Sequence, residues 1–325
     1  MRTSLSEVFH ALRTADSAIV TAHVAPDGDA VGSMLATAAL LRFLGTKPVA
    51  CVMEDPVPEK YRWLPQARDI VTPDSVTHPA DTIVVLDASR RERLGKVAGL
   101  VNSATRLVVI DHHPEPEPEG HVAFVDTRYA ATGEIVAELF DLSGAPMDRD
   151  TAECLYTAIA ADTGGFRFPS TSARTHRLVA KLVETGIDVA DISTRVFDMV
   201  SPARFRLMVR VLSRMELCEE GRVACSLVTP RDLEETSAGS DALSNLMNFG
   251  RNIEGVQVAV LFRVVDAETT KISLRSTPGF DSSQVARHFG GGGHPGAAGA
   301  TLTMPLEQTR VAVLNRIRAC LGDML

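Results

Sequence analysis

Apolar residues in the first part of the chain fall into short runs separated by longer stretches of helical period. SAIVTAH (17–23), KPVACVM (47–53), TIVVLDAS (82–89) and RLVVIDHH (106–113) are rich in β-branched residues. The last two are continuously apolar before their final acid, as expected of parallel strands buried on both faces. AVGSMLATAALLRFLG (30–45) separates the first two runs, so 17–53 predicts a strand, helix, strand unit. From about residue 132 the apolar spacing becomes three and four. TGEIVAELFDLSG, RDTAECLYTAIAADTGGF and SARTHRLVAKLVETG predict helices, with Gly144, Gly164 and Gly186 where each should stop. A further helix is predicted over SPARFRLMVRVLSRMEL (201–217). Strand patterns then resume at RVACSLV (222–228), VQVAVLFRVV (256–265) and TKISLRST (270–277).

This order predicts an α/β chain in three parts: a parallel-sheet domain with flanking helices over 1–187, a helical linker over 188–220, and a smaller α/β domain over 221–325. Two domains suit the length, because 325 residues with 45% apolar composition exceed the usual size of one. No run approaches the roughly 18 apolar residues of a membrane span. MRTSLSEVFHALRTADS lacks the continuous apolar core of a signal peptide, and a cytoplasmic location is expected. Cys51, Cys154, Cys218, Cys225 and Cys320 are widely spaced, without a C-x-x-C, which indicates neither a disulfide framework nor a zinc ribbon. A net charge of −8 opposes the broad basic surface that tracks long nucleic acid; a short phosphorylated ligand remains compatible. PEPEPEG (114–120) is an acidic, Pro-rich turn.

Ligands of open parallel sheets gather beyond the carboxyl ends of the strands, and four acid-bearing segments converge there. The first strand runs into His23, and the loop after it adds Asp27 and Asp29. The strand 82–87 ends at Asp87, the strand 106–110 at Asp111 followed by His112 and His113, and the helix 148–162 at Asp162. Taken singly these residues read equally well as caps or turns: Asp27-Gly28 resembles a turn, and Asp29 suits an N-cap. Together, carboxylates brought to one end of a sheet repel and raise one another's pKa unless cations hold them. Carboxylates with imidazoles suit Mn²⁺ or Mg²⁺, with iron, cobalt and zinc also open. Two ions about 3.5–4 Å apart need a bridging carboxylate; Asp87, alone on a central strand, is the expected bridge.

HVAPDGDAVGS, VVLDAS, VIDHH and AADTGGF, in this order, resemble the four motifs of the DHH phosphoesterase superfamily, and within it the branch of nano-RNases (oligoribonucleases) and 3′-phosphoadenosine-5′-phosphate phosphatases. The resemblance implies that His23, Asp27 and Asp87 bind one metal and Asp29, Asp87, His112 and Asp162 the other, with Mn²⁺ expected and Mg²⁺ or Co²⁺ as substitutes. Asp111 and His113 are then supporting or catalytic: Asp111 orients an imidazole, while His113 binds the substrate phosphate or protonates the leaving oxygen, phosphate binding being the preferred role.

HFGGGGHPGAAGATL (288–302) formally contains G-x-G-x-x-G, but it follows a helical pattern and leads into a strand, the reverse of the dinucleotide-binding context. Glycines at 290–293 permit positive φ and close approach of backbone N–H groups to an anion; a plain flexible turn is the competing reading. GGGHPGAAG together with SLRS (273–276) resembles the DHH-associated substrate-binding domain. That implies that Arg275 and His294, with Ser276, Gly292 and Gly293 as weaker candidates, grip the terminal phosphate or adjacent base. Arg251 and Asn252, after the helical pattern SDALSNLMNF, read more readily as a solvated turn. Arg167 and Arg174 read as surface residues, and Tyr129 and Phe166 equally as base-stacking or core residues.

The leading expectation is a two-metal phosphodiesterase or phosphatase acting on dinucleotides such as pApA, short oligonucleotides or 3′-phosphoadenosine-5′-phosphate, in a family where some members hydrolyse cyclic di-AMP. A RecJ-type single-strand exonuclease would need an added oligonucleotide-binding fold and a strand-tracking surface. A family II pyrophosphatase should lack GGGHPGAAG. A non-catalytic nucleotide sensor that reports ligand by closure would not require two fully supplied metal sites. Apolar positions on the helices of 132–185 suit a homodimer through the catalytic domain, and no membrane partner is expected.

Overall fold

The computed structural model describes residues 3–322 apart from 78, 103–104 and 244–245. The chain divides into two compact units, Met1–Met199 and Val200–Leu325.

The first unit begins with α1 (Leu5–Arg13), whose start is fixed by a capping box between Ser4 and Glu7. It continues through β1 (Ala18–Thr21), α2 (Gly28–Phe43), β2 (Val49–Cys51), β3 (Thr82–Leu86), β4 (Arg106–Asp111) and β5 (Val122–Val125). The strands form one parallel sheet in the order β2-β1-β3-β4-β5. Every residue of β1 and β3 is buried, which accounts for their uninterrupted apolar runs. Then follow α3 (Thr132–Ser143), α4 (Arg149–Asp162), α5 (Ala173–Glu184) and α6 (Val189–Ser193). One face of the sheet, through Val20, Val84, Leu86, Val108 and Ile110, packs with α1 to α4. The other face buries Ile83, Val85, Leu107 and Val109 against Leu94 and Val97.

Helix α2 is apolar on nearly all sides because it is enclosed between sheet and helices. Gly32 makes that enclosure possible: a Cβ there would lie 2.3 Å from the Cys154 carbonyl oxygen of α4. The expected helix stops are visible as positive φ at Gly144, Gly164 and Gly186. Among the described residues no helix is long and apolar enough to cross a membrane.

The second unit contains α7 (Pro202–Ser213), β6 (Glu216–Cys218), β7 (Val223–Val228), α8 (Pro230–Thr236), α9 (Met247–Arg251), β8 (Val258–Val264), β9 (Thr270–Ser276), α10 (Ser282–His288), β10 (Gly292–His294), β11 (Ala297–Leu302) and α11 (Leu306–Gly322). Its sheet runs β10-β11-β9-β8-β7-β6. Only β7 and β8 are parallel neighbours; the other pairs are antiparallel. One face packs with α10 and α11 through Phe262, Leu274, Val285, Val313 and Ile317. The other packs Ala224, Ala259 and Leu261 against Leu207, Val211 and Met247.

One local expectation differs from the structure. The helix expected over 201–217 ends at Ser213, and 216–218 pair with β7 instead. Within the segment expected to link the domains, Ile192 and Val196 are buried in the first unit, Leu207 and Val211 in the second. The glycine-rich segment is a hairpin, β10 paired with β11. The helical pattern over 240–249 includes positions 244–245, which lie outside the described residues; α9 begins at Met247.

Asp232 ties α8 to α7 by accepting from Arg214 Nη1 at 2.6 Å and from the Thr229 amide and hydroxyl at 2.9 and 2.8 Å. Burial pushes its pKa up, and the Arg214 and Thr229 bonds outweigh that and hold it well below the usual carboxylate range. A depressed carboxylate contributes stability above its unfolded pKa and loses it as pH falls through the folded value. Asp232→Asn is therefore expected to cost about 1–3 kcal/mol near neutrality, towards the lower end because the site lies near the surface despite its small exposed area. It should also flatten the acid limb of the stability profile. Urea unfolding from pH 3 to 7 checks this; an unchanged acid limb would show that Asp232 is not the linked group.

Candidate metal centre

The ends of β1, β3 and β4 place His23, Asp87 and Asp111 side by side, because these strands are parallel neighbours in register. Asp87, 1% exposed, has φ +60°, a left-handed backbone that is unfavourable for a residue with a Cβ and common where function fixes the conformation. Its two oxygens face different partners. Oδ2 lies 3.2 Å from His23 Nε2, while Oδ1 lies 3.6 Å from His112 Nε2 and accepts from the Thr132 hydroxyl at 3.1 Å.

Asp27 and Asp29 sit at the start of α2. Asp27 is its N-cap, Oδ1 accepting from the amides of Asp29 and Ala30 at 3.0 and 3.1 Å. Asp29, fully buried, spans to α3: Oδ2 accepts from Thr132 N at 2.6 Å, and Oδ1 from Gly133 N and the Ser33 hydroxyl, both at 2.9 Å. Since α3 has no side-chain cap of its own, Asp29 fills that place and meets the positive end of the helix dipole. Asp162 closes the group from the last residue of α4.

The histidines are oriented from behind. His23 Nδ1 donates to the Val24 carbonyl at 2.8 Å, and His112 Nδ1 to the Tyr129 carbonyl at 3.3 Å. A carbonyl can only accept, so Nδ1 carries a proton in each, and in the neutral imidazole Nε2 keeps its lone pair for a cation. His112 Nε2 is buried without a hydrogen bond, yet it lies 2.9 Å from Asp162 Oδ2 and 3.7 Å from Asp29 Oδ2. A neutral imidazole's lone pair aimed at carboxylates is repulsive, and a proton or a metal cation between them reverses the sign. This orphaned nitrogen fits a metal ligand. Among the described residues three groups bring ligand atoms within 4.8 Å of one another: His23, Asp27 and Asp87; Asp29, His112 and Asp162; and Asp87, His112 and His113.

Protonation follows the same crowding. Burial, then the charges of Asp87, Asp162 and Asp27, raises Asp29 well above the usual carboxylate range. Burial also pushes Asp87 up, but bonds from His113 and His23 outweigh it and hold Asp87 well below that range. Asp111, 1% exposed, accepts from the Ser89 hydroxyl at 2.5 Å and from His113 N and Nδ1 at 3.0 and 2.9 Å. Bonds to Asp111 and then Asp87 raise His113 to about 11, a directional donor of charge. Its side chain is 38% exposed.

The residues expected around a substrate lie in the second unit. Arg275, Ala297 and His294 occupy one register position across β9, β11 and β10, so Arg275 and His294 project from the same face, about 10 Å apart across two strand spacings. Arg275 Nη1 donates to the Leu274 carbonyl at 2.9 Å; burial, and then the charge of Arg251, lowers its pKa. The Ser276 hydroxyl is buried and directed at the carbonyls of Phe280 and Pro295, at 2.8 and 2.9 Å. Gly292, Gly293 and His294 are exposed. At Gly293, φ is +133° and a Cβ would meet the Ala297 carbonyl oxygen at 2.5 Å, so the hairpin itself requires glycine there. Arg251 donates to its neighbour Asn252. Phe166 packs edge-on to Tyr156, and Arg167 donates to the Gly164 carbonyl.

Sequence reading passes over Ser33, Thr132 and Gly133, which hold the candidate ligands Asp29 and Asp87, and Ser89, which holds Asp111. Ser89 lies within VVLDAS, where proximity to Asp87 was a usable signal. Thr132 and Gly133 had none, because they act from across the fold.

The DHH family N-terminal domain matches residues 17–159 and the DHHA1 domain residues 221–323. A Thermus thermophilus protein named bifunctional oligoribonuclease and PAP phosphatase NrnA is 35% identical over 302 residues, covering 92% of this chain and 88% of its own. The chain belongs to the DHH family. A Bacillus subtilis protein of the same name is 28% identical, with 94% of this chain and 96% of its own length covered. The structure of an exopolyphosphatase-related protein from Bacteroides fragilis superimposes on this DHH chain with a TM-score of 0.89 at 27% identity, covering 98% of each. The clustered residues other than Asp162 lie within the matched DHH domain, and the chain is a hydrolase of that class.

Ser89→Ala in this DHH enzyme is expected to leave Asp111 short of one donor. Folding stability should fall by about 1 kcal/mol and kcat on bis(p-nitrophenyl) phosphate with saturating divalent metal by about tenfold. Unchanged kcat would remove Ser89 from the site.

Proposed function

We propose that this chain hydrolyses short oligonucleotides and dinucleotides such as pApA to mononucleotides, and 3′-phosphoadenosine-5′-phosphate to AMP, with two divalent ions, Mn²⁺ foremost. The observation that carries the two-ion reading is the division of Asp87, one oxygen toward His23 and the other toward His112. In this reading His23, Asp27 and Asp87 hold one ion, and Asp29, Asp87, His112 and Asp162 the other. When bound, such a pair lowers the pKa of water and neutralises charge on a phosphoryl group.

The chain's own groups supply the remainder. Asp111 and Asp87 keep His113 protonated, and its Nε2–H donates to a non-bridging phosphate oxygen of the substrate; proton delivery to the leaving oxygen is the second role open to it. In the second unit Arg275 and His294 bind a substrate phosphate or base, with the backbone of Gly292 and Gly293 beside them. The bonds of Ser276 to Phe280 and Pro295 suit a role in shaping that segment. The relatives named oligoribonuclease and PAP phosphatase correspond to this chain nearly end to end, which supports short substrates over the longer single strands of a RecJ-type exonuclease.

Chelator-treated protein is expected to gain about 2.7 kcal/mol of stability at an Mn²⁺ concentration 100 times its Kd, read as a rise in Tm that Asp87→Asn abolishes. A rise of equal size in Asp87→Asn would overturn the bridging role. With Mn²⁺ present, pApA and 3′-phosphoadenosine-5′-phosphate should each be turned over, and 20-mer single-stranded DNA cut far more slowly. Failure on both small substrates with rapid cutting of the DNA would favour the exonuclease reading.

A further inference from the structure

The turn 126–131 and the first residues of α3 reach three candidate ligands. The Tyr129 carbonyl accepts from His112, Thr132 donates to both Asp29 and Asp87, and Gly133 donates to Asp29. None of these side chains is itself a candidate ligand, so ligand geometry depends on how firmly this backbone is held. Arg174 of α5 holds it. Its Nη2 donates to Glu134 Oε2 at 3.0 Å and to the Arg128 carbonyl at 2.9 Å, and its guanidinium carbon sits 3.8 Å from the centre of the Tyr129 ring. Glu134, 1% exposed, also accepts from the Ala130 amide at 3.0 Å. The Tyr129 hydroxyl is tied in turn to Glu138.

We infer that Arg174 is a positioning residue for His112, fixing through the Tyr129 ring and the Arg128 carbonyl the backbone oxygen that orients the imidazole. The inference rests on the metal reading above. Guanidinium suits the task because its planar fork stacks on an aromatic face and donates to two acceptors at once. Lysine keeps the charge opposite Glu134 but cannot make all three contacts. Partners behind a metal-binding histidine typically change metal affinity by 10–100-fold.

Mn²⁺ titration by calorimetry, with bound manganese checked by electron paramagnetic resonance, separates the two ions. Arg174→Lys is expected to weaken one ion about tenfold and leave the other unchanged. In a His23→Ala background the remaining ion should show the same tenfold loss on Arg174→Lys, and in a His112→Ala background it should show none. Because a bare Glu134 carboxylate endangers folding, the Glu134→Gln/Arg174→Met pair supplies a second test with no buried charge left unpaired, and should reproduce the selective loss. Unchanged affinities in Arg174→Lys, or equal weakening of both ions, would overturn the positioning role. Wild-type protein that binds no Mn²⁺ would remove the metal reading and this inference together. Two normal ions with an indifferent Arg174→Lys would remove this inference alone.

Discussion

A carboxylate buried at the end of a central strand is unfavourable unless donors or cations face it, and the first unit is arranged around that requirement at Asp87. Imidazoles of His23, His112 and His113 and the hydroxyl of Thr132 surround it. They come from three segments, the ends of β1 and β4 and the start of α3, which must all be in place before the charge is compensated. The left-handed backbone at Asp87 persists only because its surroundings over-determine it.

Two of the candidate ligands, Asp27 and Asp29, are also helix caps. Asp27 uses one oxygen at the start of α2 while it also stands in the group with His23 and Asp87 that could hold an ion. Asp29 caps α3 from another helix, so the dipole and amides of α3 oppose, without cancelling, the upward pKa shift that burial and the neighbouring carboxylates impose on it. Helix packing thereby sets site geometry: Gly32 lets α2 lie against α4, which brings Asp29 and Asp162 within reach of His112.

In the second unit, sheet register does comparable work. Arg275 and His294 are 19 positions apart in sequence and become neighbours on one face because β10 and β9 both pair with β11. The glycines between α10 and β11 are needed first by the hairpin, since Cβ atoms at Gly291 and Gly293 would collide with β11.

The sequence by itself determined the strand and helix order of the first unit, the helix stops and the clustering of acids at strand ends, because buried parallel strands and amphipathic helices impose periods that survive without coordinates. The motifs around His23, Asp87, His112 and Asp162 were legible for the same reason: their chemistry resides in the side chains that the sequence names. Short edge elements were not, since β5, β6 and β10 draw their pairing from neighbours and hardly from composition. Nor were Ser89, Thr132, Gly133 and the Tyr129 carbonyl, which contribute one donor or acceptor each across a fold. Only tertiary structure could decide Arg174, read in sequence as a surface residue, because its role lies in the ring, carboxylate and carbonyl that folding places around it.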